Sequence, residues 1–198
     1  AGRGGGARAI SSGKNQLMVG GDLKNNVGGE KNMDTEFLIH TFLSSTQSAS
    51  FQRGNVYAAN ATHKQKRAFQ GDFRRSLRSF AEPYAQPVLE EAHIRTIQDF
   101  ADQLSEAHPD ALAGERLRIG TAQKAVNLFL KFLWRIGLVL EPPHCPVDRN
   151  VLQEIGNDQN WTELDDIEVY RTIMGTIREL AGQQTPAQWE YDLWNSNR

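Results

Sequence analysis

The chain is predicted to be all-α, a bundle-like helical domain. Three observations carry that. Apolar side chains recur at three- and four-residue steps through several long windows, those windows open and close on helix start and stop signals, and no pair of short alternating segments offers a β-hairpin. With 198 residues, 39% hydrophobic and 23% charged, the chain is long enough for one domain with a sizeable core.

Residues 1–33 carry nine of the seventeen glycines and almost no apolar periodicity, so they are expected to form a flexible Gly-rich arm that buries too little surface to fold. The Gly-Gly pairs at 20–21 and 28–29 lack both a preceding strand and a following Gly-Lys-Ser/Thr, which excludes a phosphate loop. Met33 reads as a start of the folded part, with the arm as an upstream extension, and residues 34–198 as one all-helical domain.

The elements follow in order. Asp34 or Thr35 caps a short helix bearing Phe37, Leu38, Phe42 and Leu43, and the Ser/Thr/Gln stretch 44–50 separates it from the next. His63 to Phe80 is a helix with Phe69, Phe73, Leu77 and Phe80 on one face. Pro83 and Pro87 end it. A third helix runs from about 88 to 107, with Leu89, Ile94, Ile97, Phe100, Ala101 and Leu104 inward and His108-Pro109 as its stop.

The fourth helix, about 121 to 138, is apolar nearly all round, as a central helix should be. Its one polar stripe is Lys124, Asn127, Lys131 and Arg135. A short segment from Asp148 to Ile155 follows. Thr162 with Asp165 resembles a capping box opening a helix that closes at Gly182. Thr185-Pro186-Ala-Gln188 opens the last helix, with Trp189, Tyr191, Leu193 and Trp194.

Charge and cysteine usage exclude several classes. A net charge of −2 argues against a general polyanion binder, so any nucleic-acid role must rest on a local patch. Lone Cys145 excludes an intrachain disulfide and fits a reducing, cytoplasmic compartment. The histidines show no ligand spacing, so no metal and no cofactor are expected. No apolar run of about 18 residues is present to span a membrane, and no signal peptide is apparent.

A local patch does exist. Arg53, Lys64, Lys66, Arg67, Arg74, Arg75 and Arg78 face one acid, Asp72, across that stretch. The helix bearing Lys64 to Arg78 can neutralise several phosphates, or it can be a solvated face balanced by the acidic 154–168 segment. Lys124 on a largely buried helix has two readings as well. Burial makes an amine nucleophilic by lowering its pKa, or the head simply pairs with Asp148, Glu115 or solvent. Asp148 after Pro146-Val147 is a natural N-cap, and it is also placed to offset positive charge on a sugar. Cys145, between prolines, reads as an inert small hydrophobe.

Gly120-Thr-Ala-Gln-Lys124-Ala-Val-Asn127-Leu and Pro146-Val-Asp148-Arg-Asn-Val-Leu together resemble the helix-hairpin-helix DNA glycosylase superfamily over some 40 residues. The resemblance implies an all-α fold with Lys124 as nucleophile at C1′ of a flipped nucleotide and Asp148 as activator. It also implies that the Gly120, Thr121 and Ala122 amides clamp a phosphate. Ala122 stands where that superfamily has its second hairpin glycine, no Leu-Pro precedes Gly120, and the Lys-to-Asp interval of 24 is long. Gln123-Lys-Ala-Val-Asn-Leu with Trp134 and Pro-Pro-His-Cys-Pro is similar to a group of uncharacterised bacterial proteins, a likeness that implies no activity.

Two functions follow as expectations. One is a DNA-associated helical protein with a glycosylase-like Lys124/Asp148 cleft, its backbone contacts made by Lys64, Lys66, Arg67, Arg74, Arg75 and Arg78. The alternative is a non-catalytic helical interaction or ligand-binding module, with a protein partner or self-association through the aromatic last helix.

Overall fold

The computed structural model describes Ala1 and residues 29–196, with side chains from Met33 onward. The bulk of the expected arm therefore lies outside the described residues. Among the described residues there are seven α-helices and no strand. A single isolated antiparallel bridge joins Tyr57 to Leu112. No helix among the described residues is long and apolar enough to cross a membrane.

Helix α1 (Gly29–Phe51) starts earlier than expected and runs straight through the Ser/Thr/Gln stretch 44–50. The reason is tertiary. Thr46 and Ser50 are fully buried, and α1 makes its main contact with α4 (Ile119–Arg135). Small side chains let the two helices approach closely, and Phe42 stacks on Phe132 with ring centroids 4.9 Å apart. Packing thus overrides the modest helix propensity of serine and threonine.

Helix α2 (His63–Ala81) opens on a complete capping box. Thr62 accepts from Gln65 N, and the Gln65 side chain returns to Thr62 N at 2.8 Å. Its Phe69, Phe73 and Leu77 are buried as the periodicity predicts, among the rings of Phe51 and Phe100. Helix α3 (Glu90–Ala107) buries Ile94, Ile97, Phe100, Ala101 and Leu104. Leu89, expected inward, precedes the helix and is exposed.

Helix α4 touches α1, α2, α3 and α6 and is the centre of the fold. Helix α5 (Arg149–Glu154) is a short turn and a half capped by Asp148. Helix α6 (Ile167–Ala181) starts five residues beyond the expected Thr162 cap, with Asp166 accepting from Glu168 N instead. Thr162 belongs to a separate 3₁₀ turn, Trp161–Glu163, capped by Asn160. Gly182 closes α6 at φ 62°, the left-handed region that favours glycine. Helix α7 (Pro186–Ser196) starts as predicted, with Gln188 N donating to Thr185 Oγ1 at 3.2 Å. The Gln188 side chain does not close the box; it donates to Asp192 Oδ1 at 2.8 Å.

Candidate functional site

The site is assembled around the first two turns of α4. Gly120 is there because nothing larger fits: a Cβ would collide with the carbonyl oxygen of Trp161. The close approach lets Gly120 N donate to Leu164 O at 2.7 Å, which seats the Trp161–Glu163 turn against the start of α4.

Gln123 then fixes the opposite wall. It is fully buried, and its amide grips the backbone of one residue at both polar atoms: Nε2 donates to Val147 O at 2.7 Å, and Oε1 accepts from Val147 N at 3.0 Å. This holds the segment leading into α5 alongside α4, so that the next residues, Lys124 and Asp148, face each other. Lys124 Nζ lies 3.4 Å from Asp148 Oδ2. The other carboxylate oxygen, Oδ1, accepts from Asn150 N at 3.0 Å and Val151 N at 3.3 Å, capping α5. One aspartate serves as both cap and counter-ion.

The Lys124 side chain is 12% exposed and that of Asp148 is 33% exposed. The ammonium also sits 4.4 Å from the ring centre of Trp161, a cation–π contact. Burial pulls the Lys124 pKa below its ordinary value; the Asp148 charge opposes this, and Arg53 pushes the same way as burial. A lysine so placed holds more neutral amine at neutral pH than a solvated one.

The remaining members of the polar stripe each have a partner. Lys131 Nζ meets both oxygens of Glu190 in α7 at 2.6 and 2.8 Å, each side chain 10% exposed. Burial pushes the Glu190 carboxyl up, and Lys131 holds it back. The Arg135 guanidinium lies 3.9 Å from the ring centre of Tyr191.

Asn127 enters a buried chain of hydrogen bonds. Glu90 Oε1 accepts from Arg178, so His144 Nε2, 3.2 Å from that same oxygen, is the donor. His144 Nδ1 then accepts from the Tyr170 hydroxyl at 2.9 Å, and Tyr170 accepts from Asn127 Nδ2 at 3.0 Å. Asn127 Oδ1 accepts from His93 Nε2 at 2.9 Å, leaving His93 Nδ1 to accept from Tyr84. Every donor has one acceptor, so both imidazoles are neutral with a fixed tautomer. Burial takes both histidines down to about 3.

Two expected features sit differently from the sequence reading, and a third, Cys145, sits as read. Gly120, Thr121 and Ala122 are buried, with the Gly120 amide spent on Leu164 O and that of Ala122 on Arg118 O, so neither of those two amides is free to clamp a phosphate. On α2, Arg78 is bound by both Glu36 oxygens at 2.6 and 2.9 Å, Arg75 pairs with Asp72, and Arg74 donates to Gln47 at 3.1 Å. The balancing acids are thus Glu36 and Asp72 and not the 154–168 segment, whose Asp165 pairs with Arg116. Lys64 and Arg67 are exposed, and Lys66 lies over the Tyr57 ring. Cys145 is fully buried with its thiol pushed well up, which keeps it protonated.

Gln123, Trp161 and Glu190 were not singled out for these roles by their sequence context. Gln123 adjoins Lys124 in the quoted motif, which is the one signal that pointed to it. Trp161 and Glu190 depend on contacts with α4 that no local pattern encodes. Compared with known proteins, the chain matches no family model, no curated protein and no solved structure.

Proposed function

We propose that the chain acts on DNA through Lys124 and Asp148, as a glycosylase-like site for a flipped nucleotide. The observation that carries this reading is the pair itself: an amine of lowered pKa, 3.4 Å from a carboxylate that is held rigid by capping α5. The neutral Lys124 amine attacks the sugar C1′. The C–N bond to the enzyme forms as the glycosidic bond breaks, the base leaves with the bonding pair and takes a proton from solvent, and the amine's proton passes to Asp148. Before that transfer, the carboxylate offsets the cationic character of the sugar. Lys64, Lys66 and Arg67 supply backbone contacts, which makes binding salt-dependent.

The test uses a duplex containing an abasic site. Its C1′ aldehyde and the Lys124 amine give an imine with loss of water, and borohydride reduces the imine to a stable protein–DNA adduct. The native chain should give the adduct and Lys124→Ala should not. Asp148→Asn, which keeps a capping side chain but removes the charge, should form it more slowly. Adduct formation by Lys124→Ala at the native rate would sink the assignment.

A second reading, a non-catalytic helical interaction module, is favoured by Phe37, which is 71% exposed on α1. It predicts no adduct and no duplex affinity at about 50 mM salt, where a chain making several phosphate contacts binds well.

A further inference from the structure

Trp161 belongs to a second feature that the Lys124 chemistry does not use. It and Leu152, both buried, line an open pocket of about 330 Å³ between the start of α5, the 157–161 connection and Arg53 from the link between α1 and α2. That volume is near the lower end for small-molecule sites, about 300 Å³, and suits a single nucleotide better than anything larger.

The lining is selective in what it leaves uncommitted. Arg75, Arg78, Arg116, Arg171 and Arg178 all hold carboxylates. Arg53 and Arg149, which come from separate elements, face this pocket and make no ion pair or side-chain hydrogen bond among the described residues. Against these two positive charges the lining sets one carboxylate, Asp158, so the concavity keeps a net positive charge that a bound anion would offset. A guanidinium is also the side chain whose fork matches a phosphate. The carboxamides divide in the same way. Asn157 Oδ1 is spent on Gln159 N and Asn160 Oδ1 on Thr162 N, whereas the side chains of Gln153 and Gln159 hold no hydrogen bond among the described residues. A carboxamide presents a donor and an acceptor side by side, which is what a base edge requires.

We propose that this pocket binds one nucleotide unit, free or within a strand. Arg53 and Arg149 hold its phosphate, Gln153 and Gln159 pair with its base edge, and Asp158 accepts a hydrogen from a sugar hydroxyl or a base amino group. The inference goes beyond the Lys124 chemistry and does not depend on it.

The test is calorimetric titration of the full chain in about 50 mM salt with the four deoxynucleoside 5′-monophosphates, the matching nucleosides, inorganic phosphate and a short single-stranded oligonucleotide. The monophosphates should bind at least tenfold more tightly than either the nucleosides or inorganic phosphate. Arg53→Gln and Arg149→Gln, both at exposed positions, should each weaken binding by about tenfold, the loss of one charge-assisted contact. An oligonucleotide that binds more tightly than the monophosphates identifies a strand as the source; one that binds no better identifies a free nucleotide. Absence of binding by all four monophosphates, inorganic phosphate binding as tightly as they do, or unchanged affinity in the two arginine variants would overturn the proposal. Nucleotide binding without a Lys124 adduct keeps the pocket and ends the chemistry, and an adduct without nucleotide binding does the reverse.

Discussion

Gln123 and Val147, 24 positions apart in sequence, are joined by two hydrogen bonds that use both ends of the glutamine amide and both polar atoms of one residue's backbone. This join sets the distance between Lys124 and Asp148, because each is the next residue along its own segment. Gln123→Leu fills a similar volume but leaves the buried Val147 N–H and C=O unpaired. We expect a loss of about 2–5 kcal/mol in chemical unfolding, from the cost of two orphaned backbone groups. A loss below about 1 kcal/mol would mean that water or a shifted backbone replaces the clamp.

Gly120 and Gly175 make opposite predictions for the same substitution. At Gly120 a Cβ meets the backbone of Trp161, which cannot rotate away, so Gly120→Ala should cost several kcal/mol and displace the turn carrying Trp161. At Gly175, inside α6, a Cβ meets nothing within 4 Å. Gly175→Ala should raise stability by about 0.5–1 kcal/mol through helix propensity alone. Thermal melts of the two variants measure both signs, and equal effects would contradict the packing described.

The buried histidines predict an acid-labile fold. His93 and His144 are held down to about 3, whereas an unfolded histidine titrates near 6.5. Between those values the unfolded chain binds protons that the native chain refuses. Stability should therefore be flat above about pH 6.5 and fall below it, by up to about 1.4 kcal/mol per pH unit for each histidine. Urea midpoints at pH 7, 6 and 5 give the slope. Equal midpoints at the three values would show that the histidines titrate normally.

Lys131 and Glu190 form a buried pair whose halves depend on each other. Glu190→Gln strands an ammonium in a site only 10% exposed and should cost about 3 kcal/mol. Replacing both, with Lys131→Met and Glu190→Leu, removes two charges from an apolar setting and should recover most of that loss. A double-mutant cycle reads the coupling directly. Additive losses would show that the pair contributes nothing as a pair.

How much of this was legible in the sequence depends on how local each cause is. The start of α7 was readable because Thr185 and Pro186 act within one turn, and the inward face of α2 because periodicity needs no partner. The passage of α1 through residues 44–50 was not, since those serines and threonines are helical on account of α4 lying against them. The start of α6 was displaced because Thr162–Asp165 and Asp166 are rival caps, and a 3₁₀ turn claimed the first. At the site, the Lys124 stripe and the Asp148 cap were visible as separate local signals. Their meeting depends on Gln123 gripping the backbone of Val147, far along the chain, and the pairing of Arg78 on α2 depends on Glu36 of α1 lying against it.

The chain of hydrogen bonds from Tyr84 through His93, Asn127, Tyr170 and His144 to Glu90 runs in one sense only, each group giving its hydrogen in a fixed order. Shape is therefore a poor guide to what these positions tolerate. Aspartate matches asparagine in outline, yet at position 127 it would set an acceptor against the tyrosine oxygen that must receive a hydrogen there. The interior of this fold is specified by polarity as strictly as by volume, and an isosteric exchange along that line is among the most radical changes the core can suffer.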